Sequence, residues 1–253
     1  MKLDLSGKKA LVAGGSRGIG LAIAEAFIKE EAQVTITARG TDGLDRARMR
    51  MEEHHGGRIT AVTADMSDPS AAAGVLAEVG VLDIAVINFG ATDTLPGFDT
   101  SGEEWERLIR ANLTGPTHLA RTLGVAMKAR EEGVILFVGS IAGREAIGAP
   151  IAYGVGKCGL RAVMKTMARE LSPEGVRVNL ISPGNILFDG GRWADKRAAD
   201  PQEIDRLINA TVPMRRFGVP EEIAQVAVFI CSPRASFMTG ADIVVDGGQT
   251  VCF

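Results

Sequence analysis

Lys9-Ala10-Leu11-Val12-Ala13-Gly14-Gly15-Ser16-Arg17-Gly18-Ile19-Gly20 is the stretch on which the fold turns. A strand-like run, Lys9–Ala13, leads into glycines and then into a helical pattern from Gly18 to about Glu30, where Ile19, Ile23 and Phe27 recur every four residues on one stripe. Glycine suits such a turn because it takes positive φ at no cost and lets a phosphate approach the backbone. The free N–H groups at the start of the following helix attract the same anion. The spacing, Gly14-x3-Gly18-x-Gly20, is neither GxGxxG nor a Walker A sequence, which would end in GK[ST]. Two other readings of these residues stay open at this point. Gly14-Gly15-Ser16-Arg17-Gly18 also satisfies the G-x-S-x-G elbow of a hydrolase with Ser16 as nucleophile, but the histidine that chemistry needs would have to be His54, His55 or His118. The other reading is a glycine turn that only packs a helix on a strand.

Working outward, short β-branched runs alternate with longer helical patterns, the mark of βαβ units and a parallel sheet buried on both faces. The predicted strands are 9–13, 33–37, 59–63, 83–87, 134–138, 177–181 and 242–245. They imply an α/β fold: a doubly wound, Rossmann-type domain over residues 1–253, with a seven-stranded parallel sheet and helices on both faces. From 185 to 214 no strand is convincing, and Gly190, Gly191, Pro201 and Pro213 punctuate a short helical piece, which predicts a substrate loop or lid.

The 253 residues are 46% hydrophobic and 23% charged, with a net charge of −3, which excludes a disordered or supercharged chain. Without a Lys/Arg run and with one tyrosine, neither a nucleic acid nor an anionic membrane surface is expected as a partner. The cysteines, Cys158, Cys231 and Cys252, are too scattered for a disulfide framework or a CxxC metal site. The polar N-terminus does not read as a signal peptide, and Glu78, Asp83 and Asn88 interrupt the most apolar segment, 71–91, so a cytoplasmic protein is expected.

After the second strand comes Ala38-Arg39, where a dinucleotide fold selective for an unphosphorylated ribose would place a carboxylate. Arg39 and Arg17 in the glycine turn would clamp a 2′-phosphate through charge-assisted bonds, which favours NADP(H). The sole tyrosine lies in Tyr153-Gly154-Val155-Gly156-Lys157, at the start of a helical pattern running to about Leu171. A separation of four puts phenol and ammonium on one face, where the positive charge is expected to lower the phenol pKa. Ser140 follows the fifth strand, at the carboxyl edge where α/β sheets bind ligands.

Taken together, Gly14-x3-Gly18-x-Gly20, Asn88-Phe89-Gly90, Asn112 in Ala111-Asn112-Leu113, Ser140, Tyr153-x3-Lys157, Pro183-Gly184 and the ending Thr239-Gly240-Ala241-Asp242-Ile243-Val244-Val245-Asp246-Gly247-Gly248 resemble the short-chain dehydrogenase/reductase family over nearly the whole chain. The ending is similar to the 3-oxoacyl-carrier-protein reductase branch. The resemblance implies an NADP(H)-dependent enzyme that interconverts a ketone and a secondary alcohol. Tyr153 would be the general acid or base, Lys157 would lower its pKa and hold the nicotinamide ribose, Ser140 would bind the substrate oxygen, and Asn112 would anchor a water in a proton relay. Gly14, Ser16, Arg17, Gly18, Ile19, Gly20, Arg39, Asp65, Met66, Asn88, Gly90, Pro183, Gly184 and Ile186 would face the cofactor, with Asp65 and Met66 at the adenine. Two positions depart from the family's pattern: Phe89 stands where alanine is common, and Phe188 where a threonine often touches the phosphates. A 3-oxoacyl thioester is the leading substrate, and family members are commonly tetramers, so a homo-oligomer, tetramer or dimer, is expected. The rival from another class is a nucleotide-binding regulatory protein without turnover.

Several residues carry lesser expectations. His54-His55-Gly56-Gly57 reads as a helix end with a glycine cap rather than a metal pair. Cys158 reads as a small buried thiol. Phe188, Trp193 and Met214 read as an apolar substrate wall or an oligomer contact, and Arg144 and Arg192 leave room for an anionic substrate. Ala152, Val155, Gly159 and Ala162 would let helices approach between subunits.

Overall fold

A computed structural model describes residues 3–55, 59–92 and 99–252. Seven strands form one parallel sheet: β1 (Lys9–Ala13), β2 (Gln33–Ala38), β3 (Ile59–Thr63), β4 (Ile84–Ile87), β5 (Gly133–Val138), β6 (Val176–Pro183) and β7 (Asp242–Val245). The order β3-β2-β1-β4-β5-β6-β7 reverses direction between β1 and β4, and in doubly wound sheets ligands bind outside the carboxyl ends of the strands at such a switch point.

Side chains alternate across the pleat, so Ala10 and Val12 of β1 face one layer while Leu11 and Ala13 face the other. The first layer holds α1 (Gly18–Lys29), α2 (Thr41–His55) and α9 (Pro220–Cys231), with Phe27 and Ile223 fully buried against the sheet. The second holds α3 (Pro69–Val79), α5 (Gly115–Lys128) and α6 (Ile151–Leu171), anchored by Leu119, Leu123 and Leu160. The helix α4 (Gly102–Ile109) passes into α5 through a π-helical turn, Arg110–Thr114. In the segment expected to be irregular, two helices occur, α7 (Arg192–Ala199) and α8 (Pro201–Thr211), and the only pairing is an isolated bridge between Ile186 and Gly218. They carry a small apolar cluster of their own, Ile204, Ile208 and Val212 packed with Trp193 and Phe217.

Several expectations need correcting. Cys158 is exposed, because it sits one residue past the buried Lys157 and faces away from the sheet; the buried thiol is Cys231, which burial pushes up to about 12. Of the four small residues of α6, Ala152 is buried and Gly159 accommodates Leu113 of the same chain, whereas Val155 and Ala162 are exposed. Arg144 is not available to a substrate: it pairs with Asp242 at 2.6 Å, which also holds Arg161 at 2.7 Å and accepts from the Ser182 hydroxyl at 2.6 Å. The glycine cap expected after His55 lies outside the described residues. No helix among the described residues is long and apolar enough to cross a membrane.

The Asp242 carboxylate therefore ties the start of β7 to the turn after β5 and to α6. Asp242→Ala leaves the well-covered Arg144 without a counter-charge and is expected to cost about 3 kcal/mol in urea unfolding, the size typical of a broken buried pair. A loss below about 0.5 kcal/mol would mean that the pair is effectively solvated.

Candidate active site

The carboxyl ends of β1, β2, β4, β5 and β6 open onto a cleft of about 1020 Å3, at the upper end of the roughly 300–1,000 Å3 usual for ligand pockets. At its floor, Gly14 has φ +84°, and a Cβ there would press on the backbone of Asn88 and Phe89. The Asn88 amide donates to the Gly14 carbonyl at 2.9 Å, and the Gly14 and Gly15 N–H groups donate to the Thr37 carbonyl, which locks the turn to β2 and β4. The first turn of α1 has no side-chain cap and no acidic residue, and its Arg17 and Ile19 line the cleft, so this helix start suits an anion. The Thr37 hydroxyl is buried in the wall with no partner among the described residues. A close-approach glycine, uncapped amides and an orphan hydroxyl together suit an elongated phosphate-bearing nucleotide.

Of the residues expected at the cofactor, Gly14, Ser16, Arg17, Ile19, Arg39, Asp65, Met66, Asn88, Gly90, Pro183, Gly184 and Ile186 line this cleft. Gly18 and Gly20 do not. The Phe188 ring fills the space in front of Gly18, and the Gly14 carbonyl and Asn88 amide fill that at Gly20, so both glycines serve packing. Phe188 therefore packs the segment 185–214 on the glycine turn through apolar contact. Arg17 donates to the Gly190 carbonyl at 2.7 Å, a second tie between the turn and this segment. Burial works to raise the Asp65 carboxyl, but hydrogen bonds from the Ser67 hydroxyl and N–H and the Arg39 charge outweigh it and hold the group below its ordinary value. Arg46 of α2 also reaches the cleft.

On the other side of the switch point, Ser140 caps the short turn after β5, accepting from the Ala142 N–H at 3.1 Å, and its hydroxyl is near enough to the Tyr153 phenol to favour the phenolate. Lys157 is buried and donates to the Val138 carbonyl at 3.0 Å, with its Nζ 5.8 Å from the centre of the Tyr153 ring. Asn112 is completely buried in the π-helical turn; its amide donates to the Ala91 carbonyl at 2.8 Å and the Leu108 carbonyl at 3.0 Å, and its oxygen accepts from the Ala91 N–H. Such one-turn insertions recur at functional sites because they re-aim a side chain. Gly90 abuts this pair: a Cβ there would lie 2.6 Å from the Asn112 oxygen and 3.5 Å from Lys157 Nζ.

The electrostatics differ from the expectation of an acidified phenol. Burial raises the Tyr153 pKa, while the Ser140 hydroxyl and the Arg192 charge pull the other way without overcoming it. Burial also lowers Lys157 to about 8, and its ammonium is aimed at a backbone carbonyl rather than at the phenol oxygen. The resting site keeps its phenol protonated.

The family model described as Enoyl-(Acyl carrier protein) reductase matches residues 13–250. The chain belongs to the short-chain dehydrogenase/reductase family. Family relatives include glucose 1-dehydrogenase 2 of Bacillus subtilis, 32% identical over 99% of this chain and 98% of that protein, and the 3-oxoacyl-[acyl-carrier-protein] reductase of Escherichia coli, 34% identical over 98% and 99%. Among solved short-chain dehydrogenase/reductase structures, L-sorbose reductase of Gluconobacter frateurii with NADPH and L-sorbose superposes with a TM-score of 0.93 at 32% identity, covering 100% of both chains. The family consists of oxidoreductases, and its fold is the one described above.

Other cleft residues escaped the sequence reading: Thr37, Arg46, Thr92, Ile147, Lys196, Leu207, Thr211 and Gln249. Lys196 had a usable signal, lying four residues after Arg192. Gln249 follows β7 through Gly247-Gly248, and its side-chain oxygen is buried without a partner among the described residues. Of the three residues expected as an apolar wall, Phe188 and Trp193 line the cleft, whereas Met214 is exposed outside it.

Proposed function

We propose that this protein is an NADP(H)-dependent reductase or dehydrogenase that interconverts a ketone and a secondary alcohol, with Tyr153 as general acid and base. The observation that carries the reading is that Ser140 and Tyr153 line the cleft together at the carboxyl edge of the sheet, with Lys157 and Asn112 buried beside them. A hydrolase reading through Ser16 lacks support, since neither a histidine nor an acid–histidine pair lines the cleft among the described residues.

The residues divide the work. Gly14, the first amides of α1 and Asn88 would hold the dinucleotide, with Asp65 and Met66 at its adenine and Lys157 at the nicotinamide ribose. When bound, the cofactor supplies or accepts a hydride. Ser140 donates a hydrogen bond to the substrate oxygen and stabilises its growing negative charge. Tyr153 gives that oxygen a proton in reduction and takes it back in oxidation. Asn112 fixes the Ala91 backbone beside the site, and any side chain at Gly90 would intrude on Asn112 and Lys157, which leaves that corner for a relay water. The segment 185–214 acts as the lid, held by Arg17 on Gly190 and by Phe188 on Gly18.

NADP(H) rather than NAD(H) is favoured because the end of β2 presents Ala38, Arg39 and, from α2, Arg46, with no carboxylate where the ribose hydroxyls would be read. Following nicotinamide absorbance with NADPH and a ketone panel tests the reaction; binding without consumption would favour the regulatory reading. Arg39→Ala is expected to lower kcat/KM for NADPH about 10- to 100-fold while sparing NADH, the loss of one charge-assisted phosphate contact. An unchanged NADPH to NADH ratio would overturn the cofactor assignment.

A further inference from the structure

We infer that the carbonyl compound or alcohol this cleft receives carries an anionic oxygen group, carboxylate or phosphate, seated between Arg192 and Lys196. The inference rests on the oxidoreductase reading and adds to it the charge class of the substrate.

Arg192 opens α7 and Lys196 lies four residues further, so both project from one face, and both line the cleft. Like charges at that separation repel each other. The strain registers at Lys196, whose proton affinity is lowered by burial first and by Arg192 second, against a weaker pull from Glu203. Among the described residues the only carboxylate lining the cleft is Asp65, which sits at the opposite end beside Arg39. The half-buried Arg192 and the exposed Lys196 thus line the cleft with no carboxylate of the lining beside them, and Glu203 outside it is the one acidic neighbour that Lys196 feels.

Both are also held in position. The Arg192 guanidinium donates to the Thr92 carbonyl at 2.6 Å, which uses one of its five donors and leaves the rest of the fork for a ligand. The Lys196 ammonium rests 4.9 Å from the centre of the Trp193 ring. Placement separates this pair from the cofactor's own phosphates. Arg17, Arg39 and Arg46 attend the glycine turn and β2, whereas the Arg192 charge is felt at the Tyr153 hydroxyl. A group bound there lies a few bonds from the oxygen that exchanges a proton with Tyr153. The orphan oxygen of Gln249, in the same cleft, offers an acceptor for a hydroxyl of that molecule.

Trp193 supplies a readout that does not depend on turnover. With Trp105→Phe, Trp193 is the sole tryptophan of the chain. That protein, saturated with NADP+ so that its phosphate sites are filled, is titrated with matched pairs: 2-oxobutanoate against its methyl ester, and dihydroxyacetone phosphate against dihydroxyacetone. Trp193 emission is expected to respond saturably, with the charged member of at least one pair half-saturating at roughly tenfold lower concentration or better. Which pair responds separates carboxylate from phosphate. Lys196→Gln abolishes that preference and Lys196→Arg keeps it, and kcat/KM ratios measured with NADPH shift in parallel. Equal responses to charged and neutral members, no response to any, or a preference that survives Lys196→Gln would overturn the inference. A charged-selective response without any NADPH consumption would instead remove the oxidoreductase reading, whereas preferential turnover of the neutral members would preserve that reading and remove this one.

Discussion

Tyr153→Phe abolishes carbonyl reduction, with kcat expected to fall about 10³-fold, the middle of the range for removing a general acid. The substitution keeps the ring and deletes one oxygen, so the half-buried side chain still fills its place and the glycine turn is untouched. Nucleotide affinity is accordingly expected to be unchanged in a fluorescence titration, which separates lost chemistry from lost structure. The direction of the phenol's shift adds a pH signature. Because burial raises its pKa, the neutral acid is present throughout the physiological range and reduction is flat with pH, while oxidation needs the phenolate and climbs as pH rises above neutrality. A Phe variant retaining a tenth of the wild-type kcat, or parallel pH profiles for both directions, would rule out the assigned role.

Lys157→Met is expected to lower kcat about 10²-fold or more and, unusually for a buried polar residue, to cost little or no stability near neutral pH. Burial drops this lysine from 10.5 to about 8, so the folded state loses the proton more readily than the unfolded chain. Below about pH 8 both states are protonated and the folded protein carries the full penalty of a buried ammonium. Between 8 and 10.5 only the unfolded chain keeps the proton, so wild-type stability gains as pH rises; above 10.5 the penalty has gone. At 1.36 kcal/mol per unit the shift amounts to about 3 kcal/mol, against which the variant leaves the Val138 carbonyl without its donor at about 1–3 kcal/mol. The carbonyl term does not vary with pH. The stability of the Met variant relative to wild type, compared by urea unfolding near neutral and near pH 10, should therefore fall by about 3 kcal/mol over that interval. A difference that stays constant with pH would show that folding does not lower the pKa of this lysine.

The sheet was legible in the sequence because its strands are short β-branched runs set between longer helical patterns: β1, β3 and β7 have the bounds the reading assigned, and β2, β4, β5 and β6 differ by one or two residues at their ends. Most residues proposed for the site were legible because they lie just past a strand or at a fixed spacing on one helix, whereas Asn112, in the π turn, was reached through the family resemblance alone. What escaped depends on distance along the chain or on surroundings. No residue of α7 is buried and its sequence, Arg-Trp-Ala-Asp-Lys-Arg-Ala-Ala, shows no apolar stripe, so its helix was not visible to periodicity. Arg144 looked like a spare cation because its partner, Asp242, lies 98 residues away. The spacing of Tyr153 and Lys157 gives their shared face but not the polarity around it, and burial, not proximity, sets the direction of both pKa shifts. Lys196 and Gln249 enter the cleft only once the last third of the chain has wound back over it.

The π-helical turn at Arg110–Thr114 also governs how this chain tolerates change. A π turn holds one surplus residue, and an α-helix advances about 100° per residue, so α4 and α5 are two helices sharing an axis but not a phase. Deleting any one of those five residues would restore an ideal helix with α4 and α5 still facing as they do, but would pull the Asn112 amide off the Ala91 backbone. Local regularity and the clamp beside the cleft are mutually exclusive here, so length is more tightly constrained at this point than the identity of most side chains around it.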